Sequence, residues 1–180
     1  AVGQAIDLSG TGNDLTGAVT LTGAAVTLED TTDTSIAGIT ATGALSVTSG
    51  GAITQTGAVD ADLASSFTTS TADQAITLSN TANALTGAVS LTTSGTVGHV
   101  TIDNGTTALG VQGTVSGDLA LTSGEAITDS AALSVTGTTT VTTDVADKTI
   151  TLDTLASTGN VILTTSGTVG HVTIDNGTTA

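Results

Sequence analysis

Two histidines are the residues of this chain best suited to chemistry near neutral pH. His99 and His171 occupy the same position of a segment that occurs twice, as residues 91–108 and as residues 163–180, with the sequence LTTSGTVGHVTIDNGTTA. A metal centre needs several converging donors, and one histidine per copy does not supply them. We interpret both as structural or surface residues, and expect them on one face of the fold, three or four turns of chain apart.

The acidic residues are the second candidate for chemistry. Several aspartates lie at predicted strand ends or turns: Asp7, Asp14, Asp103, Asp129, Asp153 and Asp175. General acid–base catalysis needs two carboxylates at a defined separation. A β-helical enzyme acting on polysaccharide would also carry basic and aromatic residues to hold the sugar, and this chain has only Lys148 and Phe67. We therefore interpret the aspartates as solvated turn residues and predict no catalytic site, no enzyme and no cofactor.

Weak surface calcium binding, and self-association that depends on it, remain an alternative because acidic side chains are abundant. The chain has neither the glycine- and aspartate-rich nonapeptide of calcium-loaded β-rolls nor an EF-hand loop. We therefore name no metal-binding residue.

Asn104-Gly105-Thr106 and Asn176-Gly177-Thr178 match the N-glycosylation pattern. Asn-Gly is also the commonest signature of a tight turn, because both residues tolerate a positive φ. We favour the turn, with glycosylation as the alternative.

Threonine pairs separated by one residue suggest ice binding when they form a regular array on a solenoid. Such pairs occur at Thr20/Thr22, Thr140/Thr142 and Thr149/Thr151, but Ser90, Gly110, Ala120 and Ile162 interrupt the corresponding column. Ice binding is therefore an alternative function rather than the favoured one.

The elements that position these residues are short strands. Apolar residues alternate with Thr, Ser or Asp, as in Ile6/Leu8, Leu119/Leu121 and Ile150/Leu152, and this pattern is typical of strands with one buried face. It predicts that Leu121 points inward and Thr122 outward. Residues 59–71 break the alternation, so we expect a loop or an irregular coil there.

The arrangement of the strands follows from internal repetition. Besides the verbatim copy, residues 4–22 and 74–92 agree at 14 of 19 positions. A unit of roughly 72 residues therefore recurs along the chain, which is typical of a stacked array. Stacked coils turn copied sequence into copied packing, whereas the strands of a sandwich each have a different neighbour. The chain is therefore predicted to be an all-β, right-handed parallel β-helix of about eight to ten coils. We expect residues 1–180 to be one β-helical segment of a longer repetitive protein.

Composition restricts the partners. The 180 residues include 44 threonines, no cysteine and sixteen acidic residues against one basic residue, which gives a net charge of −15. That charge repels phosphate backbones and anionic lipid surfaces, so we predict neither nucleic-acid binding nor membrane insertion. Without cysteine there is no disulfide framework.

Three segments resemble a known class of repeats. Residues 45–55 (LSVTSGGAITQ), 119–129 (LALTSGEAITD) and 133–141 (LSVTGTTTV) are similar to the repeats of filamentous-haemagglutinin-like adhesins and other giant β-strand-repeat bacterial surface proteins. The resemblance implies secretion to the cell surface and a β-helical stalk or fibre.

The sequence thus predicts the structural shaft of an extracellular bacterial adhesin or filament. The expected partners are further copies or adjoining repeats of the same chain, stacked end to end, and components of the cell surface or extracellular matrix. An ice-binding or calcium-dependent self-associating module is the alternative function, and a polysaccharide-active enzyme is the third.

Overall fold

A computed structural model of the chain describes residues 3–177, and within this range it contains strands and turns but no helix. The strands form two sheets of ten strands each, and every described pairing between strands is parallel. The chain crosses the two sheets alternately and climbs by one strand at each return. The prediction of an all-β parallel β-helix is confirmed, with about eight coils, at the lower end of the expected range.

The first sheet, called sheet A, contains in stacking order β1 (Ile6–Leu8), β3 (Val26–Asp30), β5 (Leu45–Ser49), β8 (Ser65–Thr69), β11 (Ala88–Thr92), β13 (Leu109–Val115), β15 (Ile127–Val135), β17 (Ile150–Leu152) with β18 (Leu155–Ser157), and β20 (Val172–Ile174). Sheet B contains β2 (Val19–Gly23), β4 (Thr34–Ala41), β6 (Ile53–Gln55) with β7 (Val59–Ala61), β9 (Ile76–Leu78) with β10 (Ala84–Leu85), β12 (Val100–Asp103), β14 (Leu119–Ser123), β16 (Thr139–Thr143) and β19 (Val161–Thr164). The coils differ in length: the pairing of Val19 with Ile36 closes a short coil, and that of Ser65 with Val89 closes a long one.

The sequence repeat does not contain a whole number of coils. The equivalent segments β1, β9 and β17 are the first, eighth and fifteenth passages of the chain across a sheet, so one repeat unit makes seven passages. Seven is odd and the passages alternate between sheets. Equivalent strands of successive units therefore lie in opposite sheets: β1 in sheet A, β9 in sheet B and β17 in sheet A.

The core consists of ladders of inward side chains from successive coils. In sheet B, Ile102, Leu121 and Val141 stack in register, and each is at most 1% exposed. Their outward neighbours, such as Thr122, stay partly exposed, because successive residues of a strand point to opposite faces. The predicted register at Leu121 and Thr122 is thus confirmed.

The expected irregular stretch at residues 59–71 is instead regular. It contains β7 and β8, and Phe67 is fully buried between Val47 and Leu91 of the neighbouring coils. The alternation is hidden in the sequence because Ser65 points inward, at a ladder position where Leu45 and Val89 stand in the adjacent coils.

Ser65 offers a stabilising substitution. Its hydroxyl is buried, and no described residue bonds to it. A buried hydroxyl without a partner loses its hydrogen bonds to water and gains none within the protein. Ser65→Ala is therefore expected to raise the free energy of unfolding by about 1 kcal/mol, measured by denaturant titration. Ser49→Ala is the control. Ser49 is equally buried, but its hydroxyl donates to the Thr32 carbonyl at 2.7 Å, so this variant should be less stable than the wild type.

Candidate functional site

Two aspartates that the sequence analysis did not single out, Asp73 and Asp147, join one coil to the next. Asp73 precedes β9 and has a left-handed backbone, with φ of 65°. Its Oδ1 accepts hydrogen bonds from the Thr96 amide at 2.6 Å and the Val97 amide at 2.9 Å, both in the following coil. Asp147, one unit later, has the same φ and the same two distances to the Thr168 and Val169 amides.

These bonds lower the pKa of both carboxyl groups. The Thr96 amide and then the Val97 amide hold the pKa of Asp73 below its ordinary value of 3.8, and the Val169 and Thr168 amides do the same for the pKa of Asp147. Hydrogen bonds to the charged form favour ionisation. The two carboxylates therefore function as ionised clamps between turns, not as proton donors.

The clamps predict a defined acid sensitivity. Because the folded pKa lies below the unfolded value, their stabilising contribution is complete well above pH 3.8 and disappears as the pH falls through the folded pKa. The double variant Asp73→Asn, Asp147→Asn should be less stable than the wild type at pH 7, and the difference should vanish in acid well below pH 3.8. Melting temperatures measured across pH test this expectation. Asp144→Asn, at an exposed position after β16, is the control, and equal pH profiles for all three proteins would contradict the clamp role.

Two further carboxylates are buried and satisfied by the chain itself. Asp30, 2% exposed, accepts from the Leu15 and Thr32 amides and from the Thr34 hydroxyl. Asp129, 9% exposed, accepts from the Asp153 amide at 3.0 Å and the Thr154 amide at 2.8 Å. Both carboxylates, from the end of β3 and from within β15, thus accept main-chain amide hydrogen bonds from an adjoining coil.

Of the other aspartates singled out from the sequence, Asp14, Asp103, Asp153 and Asp175 lie at strand ends or in turns, as expected. The expectation is wrong for Asp7, the central residue of β1, and for Asp129, which lies within β15. Asp7, Asp103 and Asp175 each accept from the main-chain amide two residues later, at 2.8 to 3.0 Å. Asp14 accepts from the Thr32 hydroxyl at 3.1 Å, and the amide of Asp153 donates to Asp129. Within residues 3–177, no three His, Cys, Asp or Glu side chains are grouped so that they could hold a metal ion.

The expectation that the two histidines share a face is wrong. His99 precedes β12 of sheet B, whereas His171 precedes β20 of sheet A, because the odd number of passages exchanges the sheets between units. His99 Nδ1 accepts from the Asp118 amide at 2.9 Å and lies 3.4 Å from the Asp118 carboxylate. The carbonyl oxygens of both histidines accept equivalent bonds, from Ile76 and from Ile150. The pair shares its local structure but forms no common site.

The predicted Asn-Gly turn is confirmed: the Thr107 amide donates to the Asn104 carbonyl at 3.1 Å, and Gly105 has a positive φ of 54°. The Asn104 side chain, however, does not lie on the surface. Its side chain is fully buried, Oδ1 accepts from the Leu85 amide at 2.9 Å, and Nδ2 donates to the carbonyls of Leu85, Thr107 and Ala108. The side-chain amide pairs with both main-chain groups of Leu85, as the peptide group of another strand would. The glycosylation alternative therefore fails at Asn104, because the nitrogen that would carry the sugar is inside the core.

Asn176 repeats this arrangement. Its Oδ1 accepts from the Ser157 amide at 2.7 Å, and its Nδ2 donates to the Ser157 carbonyl at 3.0 Å. Thr178, the third residue of this second glycosylation pattern, lies outside the described residues.

The threonine pairs do not form one array. Thr20/Thr22 and Thr140/Thr142 lie in sheet B six coils apart, and Thr149/Thr151 accompany β17 of sheet A. Sequence reasoning missed a more regular surface on sheet A, formed by the outward residues of three successive coils and called here the serine face: Ala44, Ser46 and Thr48; Ala64, Ser66 and Thr68; Ala88, Ser90 and Thr92. A search for Ala-x-Ser-x-Thr at coil spacing would have found it.

The serine face carries no charge and forms a shallow depression. A groove of about 310 Å³ is lined by Ala25, Ala44, Ala64 and Ala88 with Ser46 and Ser66. The Ser66 hydroxyl lies 3.1 Å from the Ser46 hydroxyl, so the serines hydrogen-bond along the stacking direction. The groove is thus uncharged and apolar at its floor, in a chain of net charge −15.

In the part of the chain described here, no helix is long and apolar enough to cross a membrane.

Comparison with known proteins gave one family. The model of the DUF5649 family, described as repeats of unknown function, matches residues 23–92 and again residues 97–164. The two matches begin one repeat unit apart, in agreement with the unit read from the sequence and with the seven-passage repeat of the fold. No curated protein and no solved structure matched the chain. Because the two matches cover most of its length, the chain belongs to the DUF5649 family of repeats.

Proposed function

We propose that this chain is a non-catalytic structural segment, the shaft of an extracellular bacterial adhesin or filament. The observation that carries the proposal is that buried and turn polar side chains form hydrogen bonds between successive coils. The carboxylates of Asp73, Asp129 and Asp147 and the amide of Asn104 are each bonded to the main chain of an adjoining coil. These groups hold coils together, which is what a rod requires.

The core supports the same function. Inward ladders run from coil to coil without a break in the hydrogen-bonded stack, and the neighbouring strands of a sheet lie about 4.8 Å apart. Main-chain hydrogen bonds therefore lie along the rod, in the direction of a pulling force. The similarity of residues 45–55 and 119–129 to the repeats of giant surface adhesins favours an extracellular location.

The proposed partner at the rod ends is more of the same structure. Val172 and Ile174 of β20 are 43% and 42% exposed, whereas Val100 and Ile102, the same residues one unit earlier, are each 1% exposed because β14 covers them. A further coil with the character of β14 would cover β20 in the same way. We propose that adjoining repeats supply it.

The location is tested on intact bacteria that produce the protein. Antibodies raised against the folded chain should label the outside of unpermeabilised cells, and electron microscopy should show the label on projecting rods or fibres. An antibody against a cytoplasmic protein is the control for leakage. Label that requires permeabilisation would refute the extracellular shaft.

A further inference from the structure

We propose that Asn176-Gly177 is a site of spontaneous deamidation, and that the coil stacked on Asn104-Gly105 protects the same two residues there. Of the asparagines in the chain, these two alone are followed by glycine. A following glycine favours the reaction, because it has no side chain to hinder the approach of its main-chain nitrogen to the asparagine side chain, and its backbone turns freely.

The reaction is intramolecular, involves no oxidation or reduction, and consumes only water. The main-chain nitrogen of Gly177 attacks Cγ of Asn176, so a C–N bond forms and closes a succinimide ring. The bond from Cγ to Nδ2 breaks, and Nδ2 leaves as ammonia with the proton that the Gly177 nitrogen loses. Water then opens the ring. Cleavage between the Gly177 nitrogen and Cγ gives aspartate, whereas cleavage at the main-chain carbonyl carbon gives isoaspartate.

The two Asn-Gly pairs have the same local geometry. Gly105 has φ of 54°, and its amide donates to Asp103 Oδ1 at 2.9 Å. Gly177 has φ of 61°, and its amide donates to Asp175 Oδ1 at 2.8 Å. The surrounding sequence is identical as well. A difference in their rates of deamidation must therefore come from the packing around them.

The next coil holds Asn104-Gly105 in place. The Asn104 amide donates to the Thr122 carbonyl of β14 at 3.0 Å, and the Gly105 carbonyl accepts from the amide of Gly124, directly after β14, at 2.6 Å. Both residues are buried, and the Asn104 Nδ2 donates to three carbonyl oxygens. Ring closure has to turn the side-chain amide away from these bonds. Deamidation at Asn104 therefore requires the coils to separate.

Asn176-Gly177 has no such cover in the part of the chain that the structure describes. There β20 is the last strand of sheet A, Asn176 is only partly buried, and Gly177 is exposed. The Asn176 Nδ2 donates to the Ser157 carbonyl at 3.0 Å. Opening at the end of a stack costs much less free energy than opening in its middle, which approaches global unfolding. Asn176 therefore reaches the reactive geometry far more often than Asn104.

Deamidation would loosen the coil that carries Asn176. The Nδ2 donor facing the Ser157 carbonyl is replaced by an oxygen, which repels that carbonyl, and isoaspartate adds a methylene group to the main chain. A further coil on β20 would suppress the reaction as β14 does at Asn104. That suppression rests on the end-to-end stacking proposed above, whereas the reaction itself does not.

Mass spectrometry of the whole folded chain, kept in mildly alkaline buffer for increasing times, tests the proposal. Cleavage after leucine separates the two sites, because Leu109 ends the peptide of the first copy and Ala180 that of the second. We expect Asn176 to deamidate roughly tenfold faster than Asn104, or more, and to give both aspartate and isoaspartate. In denaturant the two sites should react at similar rates, because their local sequences are identical.

Asn176→Gln is the control for the site. It should abolish the rapid reaction, because ring closure onto a glutamine side chain is much slower, and leave the rate at Asn104 unchanged. Equal rates at the two sites in the folded chain, or no reaction at Asn176, would overturn the proposal.

A longer chain tests protection by stacking separately. Adding a second copy of residues 109–162 after Ala180 gives β20 a copy of β14 to cover it. Asn176 should then react as slowly as Asn104. If Asn176 still reacted rapidly in an extended chain whose strand content, measured by circular dichroism, had risen with its length, end-to-end stacking would be refuted and the deamidation site would stand.

Discussion

Replacing Leu121 with asparagine is expected to destabilise the protein by about 3–5 kcal/mol, because a polar amide would be buried in an apolar ladder without a partner. Leu121 is 1% exposed and stacks between Ile102 and Val141. The loss would be measured as a shift in the free energy of unfolding from denaturant titrations monitored by circular dichroism.

Thr122→Asn is the matched control, one residue away on the outer surface of the same strand. It should change the free energy of unfolding by roughly 0.5 kcal/mol, as ordinary surface substitutions do. Asparagine is preferred to aspartate, because Asp103 is paired with Thr122 in the adjacent coil and a second carboxylate there would add repulsion. Similar losses for the two variants would mean that the register of sheet B is wrong.

Asn104→Asp is the second substitution with a large expected effect, although it changes a single amide to a carboxylate. The Asn104 Nδ2 donates to three carbonyl oxygens, and the second oxygen of a carboxylate would instead face those oxygens, as part of a buried charge whose one remaining donor is the Leu85 amide. We expect a loss of about 3–5 kcal/mol at pH 7. The loss should shrink in acid, because a protonated carboxyl group regains one donor. Unfolding titrations at pH 7 and pH 4 measure both effects.

The chain supplies its own control for this variant. Asn176 stands in the same local sequence, Asp-Asn-Gly, and bonds to Ser157 in the same way, but it is only partly buried. Asn176→Asp should therefore cost clearly less than Asn104→Asp. If the two losses were equal and small, the amide of Asn104 would have no part in holding the coils.

The sequence was sufficient to predict the orientation of side chains and the parallel stacking. Apolar residues at every second position, as at Leu119 and Leu121 of β14 and from Leu133 in β15, reflect the pleat of a strand, which is a local property. It failed at Ser65, where a polar residue points inward and conceals β8. The stacking was predictable because copied sequence reproduces the same packing between neighbouring coils in each unit, although the equivalent strands themselves lie in opposite sheets.

The positions of the functional candidates were not predictable from sequence, because they depend on turn lengths. Coils of unequal length leave the sheet of His171 undetermined until every turn is known. Asn-Gly at Asn104 is equally compatible with an exposed turn. What distinguishes the buried amide is its pair of bonds to Leu85 in the preceding coil.

Because each unit makes an odd number of passages, the number of units decides which side of the rod a given group faces. Loss or gain of one repeat unit would turn everything beyond it by half a revolution about the rod axis, while a change of two units would restore the original facing. In a protein built from many such units, copy number alone would then decide whether groups at the two ends point the same way. Recombination between identical copies, such as residues 91–108 and 163–180, would change the length of the rod and the direction its ends face together.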